Sequence, residues 1–480
     1  MLVENLPVNN LLIPLPKPGL SLTTLSGIMS GLDEAPIKIS VGQREDNKLR
    51  LDDRAAHQWY RFILSFPPHL VRNYIAKFDL DARHRVLDPF CGTGTTMVEC
   101  NKFGISSFGL EPNPIACFAS RTKLNWNVDP DELLQHAQAI AKAVTRRLKK
   151  DGLTEDAGLP LFQSRAVAPA VLRSISPEAG DLLLSDSISP TPLHKTLVLL
   201  EEIDGQREDR FRDHERLALA ACLVSGISNL HFGPEVGVGP AKADAPVVSL
   251  WLKGIRAMVE DLRKLQNITG ADAIVHQADA RDVSRVLPPE SVDAVITSPP
   301  YPNEKDYTRT TRLESVLLGF IQSKQDLRAL KQRLVRSNTR SVYKADTDDA
   351  LVSGHREIQR IATAIEQRRI ELNKDSGFEK LYARVTKLYF GGMTRHLSEL
   401  RTVLRPGAQL AYVVGDQASY LRVMIRTGQI LAGIATSLGY EVTGIDLFRT
   451  RLATATREQL REEVVLLRWP GKFRKRAKRP

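Results

Sequence analysis

The stretch Arg85-Val86-Leu87-Asp88-Pro89-Phe90-Cys91-Gly92-Thr93-Gly94-Thr95-Thr96 reads as a short strand ending on a carboxylate, a glycine-containing turn, and the start of a helix. The spacing predicts a strand over 84–88 and a helix over 97–102, then a second strand over 106–111 and a second helix over 113–124. In open α/β sheets, ligands bind beyond the carboxyl ends of strands, where a glycine turn lets backbone approach and a helix N-terminus offers its N–H groups. Gly92 and Gly94 suit that turn. The third glycine of the dinucleotide fingerprint is absent, with Met97 where it would fall, and Asp88 directly precedes the loop. Glu111 closes the second strand about 20 residues after the loop, a position from which an acid accepts hydrogen bonds from a ribose diol. Together these elements imply a nucleoside-containing ligand other than a dinucleotide; Gly-x-Gly alone is equally a structural turn.

A second constellation lies at Val292-Asp293-Ala294-Val295-Ile296-Thr297-Ser298-Pro299-Pro300-Tyr301. Residues 293–297 form a buried-type strand that Pro299-Pro300 stops abruptly, stiffening the backbone around Ser298 and Tyr301. At average residue usage, Ser-Pro-Pro-Tyr arises by chance in roughly a few per thousand chains of this length. The bland alternative is an ordinary Pro-Pro turn beside a partly buried tyrosine.

Asp88-Pro-Phe-Cys-Gly-Thr-Gly-Thr95 followed downstream by Thr297-Ser-Pro-Pro-Tyr301 resembles the S-adenosylmethionine-dependent amino-methyltransferases of DNA, which methylate cytosine N4 or adenine N6. The resemblance covers roughly residues 56–126, 271–312 and 394–469. It implies an α/β fold: a Rossmann-like, seven-stranded class I methyltransferase sheet with two largely helical insertions. The cofactor-binding set it implies is Phe66, Asp88, Phe90, Gly92, Gly94, Thr95, Glu111 and Asp279. In that set the Phe90–Gly94 loop cradles the methionine part, Glu111 holds the ribose, Asp279 contacts the adenine, and Phe66 belongs to an N-terminal cofactor wall. For each of these, core packing or a solvated charge is the competing explanation.

The catalytic residues expected are Ser298, Pro299, Pro300 and Tyr301. An exocyclic base amine is a weak nucleophile because its lone pair is delocalised into the ring. Ser298 and the Pro299 carbonyl can each accept one amino hydrogen, and Tyr301 offers a face for a base extruded from its duplex. A cytosine-C5 enzyme would need a cysteine following a proline, and none of the four cysteines does so. A protein-glutamine methyltransferase carries Asn where this chain has Ser298. Serine at 298 leans toward cytosine N4. Adenine N6, a base amine in RNA, and a non-catalytic nucleic-acid-binding subunit are the alternatives.

The remainder of the chain is read as an N-terminal extension (1–55), the cofactor-binding half of the core (56–126), a mostly helical insertion (127–270), the catalytic half (271–310), a basic helical insertion (311–393), the C-terminal part of the core (394–470) and a basic tail (471–480). In the second insertion Lys324, Arg328 and Lys331 share one helix face, with Arg333, Arg336, Arg340 and Lys344 close behind, so this insertion is the candidate for target recognition. Strands are expected over 409–414, 440–447 and 463–469, with helices over 394–404 and 423–438.

Of the formal charge of +11, seven units lie on Arg468, Lys472, Arg474, Lys475, Arg476, Lys478 and Arg479, so the body is only mildly basic. A tail of this kind attracts phosphate backbones, although a solvated end carries the same charge. With 480 residues, 42% hydrophobic and 26% charged, the chain can bury a sizeable core, and disorder throughout is excluded. Four cysteines without a Cys-x-x-Cys pair speak against a disulfide framework or structural zinc, so no metal is expected. No apolar run reaches membrane-spanning length, and the proline-interrupted start does not read as a signal peptide. The expected setting is cytoplasmic. The expected partner is DNA, with restriction or defence subunits possible and the oligomeric state open.

Overall fold

A computed structural model describes residues 39–41, 49–61, 65–155, 171–232, 236–268, 270–303, 305–452 and 459–471. Its strands are β1 (Ile39–Val41), β2 (Arg85–Asp88), β3 (Ser106–Leu110), β4 (Leu230–Phe232), β5 (Val236–Val238), β6 (Ala273–His276), β7 (Val292–Thr297), β8 (Leu404–Gly415), β9 (Glu441–Leu452) and β10 (Gln459–Arg468). Eight of them form one sheet in the order β1-β9-β10-β8-β7-β2-β3-β6, while β4 and β5 make a separate hairpin. Every pairing in the large sheet is parallel except those of β10, which runs antiparallel to both β8 and β9. Seven of the eight strands are the Rossmann-like sheet expected from the sequence, and the final pair, β9 and β10, is an antiparallel hairpin. β1 adds an eighth strand at the edge, beside β9.

The central strands are short apolar runs because both faces are covered. Alternation sorts their side chains. Val86, Ala294, Ile296, Ala411, Val413, Val464 and Leu466 face one side, where α1 (Pro68–Lys77) and α2 (Thr95–Lys102) supply Leu70, Val71, Ile75 and Cys100. Leu87, Val295, Leu410, Tyr412, Val414, Val465 and Leu467 face the other side. The first insertion builds its own core around the fully buried Trp251. Its helices are α4 (Pro130–Lys150), α5 (Pro190–Asp204), α6 (Arg212–Cys222) and α7 (Val247–Leu265), and they share that core with Ile115 and Ala119 of α3 (Pro114–Leu124). Asp129 caps α4 by accepting from the N–H groups of Asp131 and Glu132, with Pro130 at the first helical position.

In the second insertion, α8 (Lys324–Gln332) and α9 (Arg356–Glu371) lead into α10 (Tyr382–Leu400), and α11 (Thr427–Ser437) follows β8. α10 starts twelve residues earlier than the pattern suggested, running through Gly391-Gly392. A Cβ on Gly391 would collide with the Asp348 carbonyl, so glycine here lets the 348–352 turn lie directly against the helix. Part of the expected basic stripe is engaged by other side chains of the protein. Lys331 pairs with Asp306 at 3.1 Å, Arg336 with Asp346 at 2.8 Å and Lys324 with Asp181 at 3.0 Å, while Arg328 lies over the Tyr343 ring. Nearby acids at 306 and 346 neutralise cations that the helical spacing alone left free for phosphate. The tail beyond Gly471 lies outside the described residues. No helix among the described residues is long and apolar enough to cross a membrane.

Candidate active site

β2 and β7 are parallel neighbours, with Leu87 opposite Val295, so the loops leaving their carboxyl ends stand side by side. From here β3 and β6 continue the sheet in one direction and β8 in the other. This is the switch point at which open α/β sheets form a ligand crevice. Asp88 fastens the two loops together. Its Oδ1 accepts from Thr297 Oγ1 at 2.6 Å and from the Phe90 N–H at 3.1 Å. Asp88 is fully buried, and burial pushes its carboxyl up to about 6. It therefore sits behind the loop and does not line the cavity in front. Gly94, the residue before α2, has φ +88°, and a Cβ there would meet Ser120 Oγ at 2.5 Å. It shapes the turn from behind, likewise outside the cavity lining.

The cavity in front has a volume of about 500 Å³, and Phe66, Phe90, Gly92, Thr95, Glu111 and Asp279 line it together with Ser298, Pro299, Pro300 and Tyr301. Both constellations read from the sequence thus share one cavity. Gly92, at φ +52°, has open space where a side chain would project. The Glu111 carboxylate accepts from the Gly92 N–H at 3.0 Å and the Asn113 N–H at 2.8 Å. Burial outweighs these bonds and pushes Glu111 up to about 7. Asp279 caps the short helical turn after it by accepting from the Arg281 N–H at 2.9 Å, and the Arg281 guanidinium also clasps its carboxylate. Arg281 is held in turn by Asp348 at 2.7 Å, so the Asp279 wall of the cavity is tied to the second insertion.

Phe90 packs edge-on against His396 of α10, with ring centres 4.9 Å apart. Nδ1 of His396 lies 2.9 Å from the Ala280 carbonyl and Nε2 lies 2.7 Å from the Tyr412 hydroxyl. A carbonyl only accepts, so Nδ1 carries the proton and Nε2 accepts from Tyr412. Burial holds this imidazole down at about 4, and the neutral ring stays a fixed strut beneath Phe90.

On the opposite wall the Ser298 hydroxyl donates to the Val413 carbonyl at 3.2 Å. Burial and the nearby Glu462 carboxylate raise the Tyr301 hydroxyl, which stays protonated. Glu462 itself is clasped by Arg449 at 2.6 Å. Asn113, Asn338, Gln417, Arg449 and Glu462 also line the cavity. The side-chain Oδ1 atoms of Asn113 and Asn338 are buried and have no hydrogen-bond partner among the described residues, so each offers an acceptor. Only Asn113 carried a local signal, following Glu111-Pro112 directly; the other four come from distant segments and meet the site through the fold.

No family model matches the chain. Among curated relatives, the Type II methyltransferase M.BsoBI of Geobacillus stearothermophilus is 26% identical over 451 residues, covering 87% of this chain and 84% of that protein. The Type II methyltransferase M.AvaI of Nostoc sp. strain PCC 7120 is 24% identical over 439 residues, covering 86% of each. The homologues of this chain are Type II methyltransferases. Among solved structures, TrmN from Thermus thermophilus aligns with 87% of this chain at 11% identity and a TM-score of 0.27, and the alignment spans about half of TrmN, 52%.

Proposed function

We propose that the chain is a DNA methyltransferase that transfers a methyl group from S-adenosylmethionine to an exocyclic base amine, cytosine N4 in preference to adenine N6. The observation that carries this is the common cavity: the glycine loop with Glu111 and Asp279 on one side, Ser298-Pro299-Pro300-Tyr301 on the other. Its volume is in the range that holds nucleoside-sized ligands. Homology to Type II methyltransferases over most of the chain supports the same reading.

The residues present suit the donor. Glu111 is a buried acceptor for ribose hydroxyls, and open space lies over Gly92. When bound, the donor supplies an electrophilic methyl group. Ser298 commits its proton to Val413, so the hydroxyl oxygen can accept one amino hydrogen of the base. The carbonyl of Pro299 accepts the other, on a backbone that two prolines hold rigid. Both bonds localise the nitrogen lone pair for in-line attack, so the rate comes from orientation and fixed dipoles rather than from an enzyme nucleophile. Tyr301 stacks against a base flipped out of its duplex.

The test is transfer of labelled methyl from S-adenosylmethionine to duplex DNA, with structured RNA as the comparison substrate. Label in DNA that exceeds label in RNA is the expected result; label in RNA alone would move the enzyme to the other polymer.

A further inference from the structure

Beside the main cavity lies a small side pocket lined by His57, Arg61, Ser65, Phe66, Thr93, Thr95 and Lys123. Ser65, Phe66, Thr93 and Thr95 line both spaces, so the two adjoin at these residues. Lys123, near the end of α3, is 2% exposed. Its ammonium makes no hydrogen bond or ion pair among the described residues, and its charged neighbour is another cation, Arg61. His57 is turned to Glu99 at 2.7 Å and burial keeps its ring neutral, while Arg72 and Lys102 also hold Glu99. No acidic side chain is among the residues lining the pocket. Thr95, the first residue of α2, brings the positive end of that helix to the same place.

A buried cation without a counter-ion is costly, and burial with Arg61 nearby lowers Lys123 to about 7. Such a site is complete only with an anion. We propose that this side pocket takes the carboxylate at the amino-acid end of the methyl donor, with Lys123 as its counter-ion. The inference rests on the donor assigned above. The ligand then runs from Asp279 past Glu111 and over Gly92 to Thr95, with its one anionic group at Lys123.

Calorimetric titration of the full chain tests this with two nucleosides. S-adenosylhomocysteine carries the amino-acid end, and 5′-methylthioadenosine lacks it. Lys123→Met preserves length and helix propensity, and removing an unpaired buried charge is expected to keep or raise the melting temperature. The wild type is expected to bind S-adenosylhomocysteine at least roughly tenfold more tightly than methylthioadenosine, and Lys123→Met to erase that difference while leaving methylthioadenosine binding unchanged. Equal weakening of both ligands, or no weakening, overturns the assignment. Inorganic phosphate is the third probe. If the wild type binds neither nucleoside but phosphate raises its melting temperature and not that of Lys123→Met, the pocket is a phosphate site, and the donor reading has failed along with the carboxylate assignment.

Discussion

Ser298→Ala is expected to lower kcat for methyl transfer to DNA by roughly 10²–10³-fold, the scale seen when one preorganised hydrogen-bonding group is removed from a reacting centre. Affinity for the donor should stay within about twofold, because Glu111, Gly92 and Asp279 lie on the other wall of the cavity. The fold should tolerate the change: the hydroxyl makes a long bond to Val413, and Thr297, which fastens the loop to Asp88, is untouched. The measurement is single-turnover transfer with saturating donor, paired with calorimetric titration of S-adenosylhomocysteine. Turnover at the wild-type rate would remove Ser298 from the reaction. A parallel loss of donor affinity would make it part of the cofactor wall instead.

Glu111→Ala should act on binding. A hydrogen bond to a charged acceptor contributes about 1.5–3 kcal/mol, so if the carboxylate holds the ribose hydroxyls as proposed, losing it should weaken nucleoside binding at least roughly tenfold for each bond. The pH dependence follows from the same side chain. Burial, aided by the Asp88 charge, raises Glu111 from its ordinary 4.5 to about 7, against the pull of the N–H groups of Gly92 and Asn113. The ionised form is the better acceptor, so binding favours deprotonation. Affinity for 5′-methylthioadenosine should therefore rise as pH increases through about 7 and level off above it, being about tenfold weaker at pH 6 than on the plateau. This nucleoside lacks the amino-acid end, which keeps Lys123 out of the comparison. Glu111→Ala should bind weakly with a flat profile between pH 6 and 8. A wild-type profile that is already flat, or unchanged affinity in the variant, would remove Glu111 from the ribose site.

The two chemical loops were legible because each is a short-range pattern. A strand that ends on Asp88 and breaks into glycines, and a strand that ends on Ser298 and breaks into prolines, both specify where the chain leaves the sheet. Their meeting in space depends on the parallel pairing of Leu87 with Val295, which the resemblance supplied and no local signal encodes. Sequence position places Asp88 at the loop, yet it does not say on which side the carboxylate lies; the hydrogen bond from Thr297 turns it inward, away from the cavity. The same limit applies to charge. Lys331 on a helix face and Arg336 close behind it read as part of a basic stripe, and only the fold brings Asp306 and Asp346 against them. The helix expected from 394 begins upstream of Gly391-Gly392, where the 348–352 turn presses on α10. β1 has three residues and no alternation long enough to register, and its strand character comes from the open edge of β9. Lys123 shows the converse: a basic residue in a helix carries no signal until burial without a partner gives it one.

The central claim is that Ser298-Pro299-Pro300-Tyr301 methylates a base amine in DNA. The most direct measurement is nucleoside mass spectrometry of DNA from cells that lack their own base methylation and express either the wild type or Ser298→Ala. N4-methylcytosine in the wild-type sample and none in the variant is the predicted result. N6-methyladenine in its place would keep amine transfer and reverse the choice of base. DNA without any methylated amine, from cells containing folded wild-type protein, would contradict the account.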